Sequence, residues 1–132
     1  MMGATHWCAE YIGKPWTEKM DCLGWFRYWS WKHFGIDICD YSINHGMLTT
    51  SAAKAMVDAA DVFGYVKTTA PKEGDAVYMS QRVRAHHLGM YVVMKSGIHV
   101  LHAIEGVGVV ISDNMDLASN GWRITEYRTY AR

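Results

Sequence analysis

Proline is scarce: only Pro15 and Pro71 interrupt the 132 residues, and no repeat or low-complexity tract shows along the chain. Three cysteines, Cys8, Cys22 and Cys39, make an odd set without a Cys-x-x-Cys pair, which argues against a disulfide framework and a structural zinc site. An excess of one charge is also missing. Thirteen basic residues cancel thirteen acidic ones, so there is no electrostatic case for nucleic acid or an anionic membrane as partner. No stretch approaches the ~18 apolar residues of a membrane span. The first seven residues lack the basic and apolar regions of a secretory signal, so the expectation is synthesis in a cytoplasm. Nothing calls for a cofactor. The partner must be recognised by shape and local polarity.

What is present is a chain of 50% hydrophobic composition, the size of one domain spanning 1–132 and large enough to bury a core without staples. Residues 4–12 carry Trp7, Cys8, Tyr11 and Ile12 at helical spacing, with Gly13 as a C-terminal stop and Pro15 just beyond. After the loop 14–20, Asp21 is a candidate N-cap for a second helix. That helix holds Cys22, Phe26 and Trp29 on one side, is apolar nearly all round, and ends at Gly35. An alanine-rich third helix is expected over 52–63. From Tyr65 onward the period changes to two, with short runs at 75–79, 87–94, 98–103, 107–111 and 122–130. Helices first and strands afterwards predict an α+β domain, a meandering antiparallel sheet with the cysteine-bearing helix on one face.

The chemistry concentrates at Cys22. Unpaired backbone N–H groups and the helix dipole at a helix start favour thiolate over thiol, and the thiolate is the nucleophile. Alternation in the run from His87 puts His87, Gly89, Tyr91 and Val93 on one face. Gly89, without a Cβ, would let another backbone such as the start of the cysteine helix come close. In the next strand Ile98, Val100 and His102 share a face, and a hairpin turning at Lys95-Ser96-Gly97 brings His87 near His102. His99 points away by parity. Cys8 and Cys39 are expected to be buried hydrophobes, and His6, His33, His45 and His86 have no partner pattern. Trp7, Trp25, Trp29 and Trp31 suit a packed core, whereas Trp16 and Trp122 lie outside helices and are free to meet a ligand. A zinc site made from Cys22, His87 and His102 is the weaker reading of the same three residues.

Gly13-Lys14-Pro15-Trp16, Asp21-Cys22-Leu23-Gly24, Gly74-Asp75-Ala76-Val77-Tyr78, His87-Leu88-Gly89-Met90-Tyr91-Val92 and Leu101-His102-Ala103 follow one another in an order that resembles the NlpC/p60 cysteine peptidases. The resemblance implies a papain-like α+β fold, with Cys22 as nucleophile, His87 as general base and His102 as the orienting third residue. It implies cleavage of peptidoglycan stem peptides between D-glutamate and the diamino acid. Trp16 and Asp21 beside the cysteine, and Arg82 and Arg84 as partners for substrate carboxylates, become the candidate substrate contacts. Leu23 stands where the family commonly has serine, and Trp16 follows Pro15 where tyrosine is common. Asp-Cys-Leu-Gly, with the continuation to Ser42, is more similar to the bacteriophage-tail branch. Other tail proteins are therefore expected partners, and the virion is the expected location. Two other functions fit the same residues: a structural tail-tip protein with slight or no turnover, and a secreted antibacterial amidase.

Overall fold

A computed structural model describes residues 6–38, 64–81 and 87–131. The expected helix over 52–63, and Cys39, His45, Arg82, Arg84 and His86, lie outside them. The described elements are a 3-10 helix, Trp7–Tyr11; α1, Cys22–Phe34; β1, Tyr65–Thr68; β2, Ala76–Ser80; β3, His87–Met94; β4, Gly97–Ile104; β5, Gly108–Ser112; α2, Asn114–Ser119; and β6, Arg123–Tyr130. Among the described residues no helix is long and apolar enough to cross a membrane.

Helix α1 starts and stops where the sequence signals it. The Asp21 carboxylate accepts the Gly24 N–H at 2.7 Å, and Gly35 closes the helix in the left-handed region at φ 68°. Such an N-cap contributes about 1 kcal/mol. Gly24 is required for a separate reason: a Cβ there would lie 2.3 Å from the Lys19 carbonyl oxygen. The loop before the cysteine thus folds back onto the first turn of its helix. Cys22, Leu23, Trp25, Phe26, Trp29 and Ser30 are buried, while Trp31 is 60% exposed. The helix is therefore half-buried, and Trp31 does not join the core.

The preceding segment winds more tightly than expected. Within the α-helix expected over 4–12, the described residues form a 3-10 element, Trp7–Tyr11, whose first turn is capped by His6: its ring Nδ1 accepts the Cys8 N–H at 3.0 Å. Beyond it, Gly13 donates to the Val109 carbonyl at 2.9 Å and Val109 donates to the Lys14 carbonyl at 2.8 Å. These two bonds run along the outer side of β5.

Among the described residues six strands form one sheet in the order β1-β6-β2-β3-β4-β5, every neighbouring pair antiparallel. Strands β2 to β5 meander as expected. The last strand does not, because β6 inserts between β1 and β2. The β3–β4 hairpin is short, pairing Met94 with Gly97 across Lys95 and Ser96. Period two sorts the side chains onto two layers. Leu88, Met90, Val92, Leu101 and Ala103 pack with α1, whereas Val77, Met79, Tyr91 and Val100 pack with Leu117 of α2 and with Trp122. The helix bearing Cys22 therefore covers one face of an α+β domain, and a smaller apolar cluster covers the other.

Candidate active site

Cys22 is the first residue of α1 and is 7% exposed, packed in the same cluster as Leu88. Its thiol is not poised as the thiolate that a helix start alone would favour. Burial, and secondly the neighbouring Asp21 carboxylate, push its pKa up to about 12. Hydrogen bonds from the backbone at Leu88, Leu23 and Cys22 itself favour the anion and are outweighed. The resting group is consequently a neutral thiol, held where three backbone groups can receive negative charge when it develops.

Strand β3 begins at His87 and fixes both imidazoles. Gly89 pairs with His102 across the β3–β4 ladder, so His87, two residues earlier on the same face, is its diagonal neighbour. His87 Nε2 and His102 Nδ1 are 2.7 Å apart. The other nitrogen of His102, Nε2, is 2.9 Å from Ser112 Oγ. Trp122 stacks on the His87 ring with centroids 4.3 Å apart and planes 18° from parallel, and meets His102 edge-on. His102 is completely buried, and that burial pushes its pKa down to about 4, so it is neutral near pH 7.

The structure thus joins His87 to His102 directly, on the layer shared with Tyr91, Val100 and Trp122, while Cys22 packs with Leu88 on the α1 layer and meets β3 through the Leu88 backbone. Gly89 serves the histidine pair in a different way from that expected. A Cβ on it would sit 2.4 Å from Val100 Cγ1 and 3.1 Å from His102 Cβ, so its bareness admits the side chains of β4 and not the start of α1. Trp16 is partly buried against the main core, and its neighbour Pro15 accepts the indole N–H of Trp25 at 3.2 Å. Asp21 is buried and caps α1. Among the described residues no group of three or more His, Cys, Asp or Glu side chains could hold a metal ion.

Two partners of the histidines are new. Ser112 carried no motif, but pairing β4 with β5 would have placed it diagonally beside His102. Trp122 was open to ligand contact in the sequence, yet it is 7% exposed and faces His87.

A family model described as NlpC/P60 family matches residues 8–126, most of the chain. The chain belongs to the NlpC/P60 family. No individual curated protein matches it. NlpC/P60 membership points to cell-wall peptidase activity of the cysteine type, with peptidoglycan as the substrate class. The match spans α1 and strands β3 and β4.

Proposed function

We propose that this protein is a cysteine endopeptidase that cleaves peptidoglycan stem peptides with Cys22, His87 and His102. The observation that carries this reading is the 2.7 Å contact of His87 Nε2 with a buried, neutral His102, in a domain whose cysteine opens the helix packed on the same strand. His102 engages His87 at Nε2, so in this reading base duty falls to Nδ1.

Because the resting sulfur is a thiol, proton transfer to His87 accompanies attack on the substrate carbonyl rather than preceding it. The S–C bond forms, the carbonyl oxygen takes up negative charge, and backbone N–H groups at the start of α1 stabilise it. Collapse of that intermediate breaks the C–N bond. The amine leaves with the proton from His87, and a thioester remains. Water, deprotonated by His87, then attacks the thioester and returns the free thiol and a carboxylic acid. Trp16 and Asp21 are proposed substrate contacts near the cysteine, and Arg82 and Arg84 are proposed partners for the stem-peptide carboxylates.

The Asp-Cys-Leu-Gly sequence supports placement in a phage tail, with wall opening during infection as the setting. One observation favours a second reading, a tail component with slight turnover: the buried thiol is held well above the ordinary cysteine range. Digestion of purified peptidoglycan by the wild type and by Cys22→Ala separates the two. Release of stem-peptide fragments is expected from the wild type and should fall at least ~10³-fold in the variant, as for loss of a nucleophile. Equal release by both would remove Cys22 from the reaction, and no release by either would favour the structural reading.

A further inference from the structure

His102 has a hydrogen-bonding neighbour at each ring nitrogen: His87 Nε2 at Nδ1 and the Ser112 hydroxyl at Nε2. Ser112 is itself buried, and its placement follows from the ladder. His102 pairs with Val110 and Val100 pairs with Ser112, so the serine is the diagonal same-face neighbour of the histidine. A neutral imidazole carries a single N–H, so two such bonds admit only two arrangements. In one, the His102 proton is on Nε2 and is donated to Ser112. The His102 Nδ1 lone pair then receives the Nε2–H of His87, whose own lone pair lies at Nδ1. In the other, the serine donates and His102 donates from Nδ1 to His87 Nε2. His87 would then carry its proton on Nδ1 and could not accept one there from a thiol.

We propose that Ser112 is a positioning residue: its hydroxyl oxygen accepts the Nε2–H of His102 and so holds His87 in the tautomer that can act as a base. The inference rests on the peptidase reading for its consequence, but not for its geometry. A hydroxyl suits the task because it accepts through either of two lone pairs while its own hydrogen rotates elsewhere. Removing it leaves a choice between an unpaired buried N–H and an unpaired buried nitrogen lone pair. The first is the rarer and costlier state in protein interiors, so the proton moves to Nδ1.

The test is nitrogen NMR of the full chain with labelled histidine, in the wild type, Ser112→Ala and Ser112→Thr, alongside steady-state cleavage of a defined stem peptide. The wild type should show the His102 proton on Nε2. Ser112→Ala should move it toward Nδ1 and lower kcat roughly 10- to 100-fold, the loss expected for one buried hydrogen bond, with KM within about twofold. Ser112→Thr, which keeps the hydroxyl, should restore both. A wild-type spectrum with the proton on Nδ1 overturns the proposal even if the alanine variant fails to fold. So does an alanine variant with an unchanged tautomer and kcat. A wild type inert on stem peptide whose tautomer still responds to Ser112→Ala would support the serine's role and overturn only the peptidase reading.

Discussion

Acid should weaken this fold through His102, and the amount can be worked out in advance. The ring is wholly buried, so the native state holds its pKa down at about 4, against about 6.5 in the unfolded chain. Above about pH 6.5 both states are neutral and the histidine costs nothing. As pH falls below that value the unfolded chain takes up a proton that the native state refuses, and stability drains away until the native ring also titrates near 4. Between about pH 7 and about pH 4.5 the loss from this one group is about 2 kcal/mol. Urea midpoints followed by tryptophan fluorescence, for the wild type and for His102→Gln, isolate it. Glutamine stays neutral throughout, so the stability advantage of the wild type should shrink by about 2 kcal/mol over that interval. His33, whose pKa burial and Lys32 also lower, is common to both chains and cancels. A gap that stays constant with pH would mean that water or a partner reaches His102, and the neutral relay would have to be abandoned.

Gly89→Ala places a methyl group 2.4 Å from Val100 Cγ1 and close to His102 Cβ, so β4 must retreat; a loss of about 1–3 kcal/mol in urea denaturation is expected, with slower turnover. Unchanged stability would contradict the close approach. Asp21→Asn keeps a side chain that caps equally well but removes the second cause of the raised Cys22 pKa. The rate of thiol alkylation against pH should shift to lower pH with little change in stability, and an unmoved profile would show that burial alone sets the thiol.

Much of this arrangement was legible because its signals are local. Asp21 and Gly35 bracket α1 as cap and stop, and the run from His87 to Met94 is a continuous β-rich stretch ahead of a glycine turn, so β3 could be read directly and its faces assigned by parity although both are buried over residues 87–92. The ~10-residue window of such patterns cannot see what lies across the sheet. Insertion of β6 beside β2 is a non-local pairing. The use of Gly89 to admit Val100 and His102 is another. Ser112 escaped because a single serine in a strand looks solvent-facing until its partner strand is known. Helix α2 was missed although Asp113 and Asp116 form a reciprocal capping box, since only Leu117 of its six residues is buried and no apolar period develops. The thiol misled in the opposite sense. Its helix-start position is plain in the sequence, but the burial that outweighs the dipole exists only once α1 lies on Leu88.

The paired bonds between residues 13–14 and Val109 have a mechanical consequence. They fasten the chain just ahead of Pro15, and the Asp21 cap fastens it again just before the sulfur, so the stretch carrying Trp16 is a strap riveted at both ends. The first rivet is on β5, three residues from the serine that steadies His102. A tug on the strap by a ligand lodged against Trp16 would pull on β5, which pairs with the strand of His102, as well as on the start of α1.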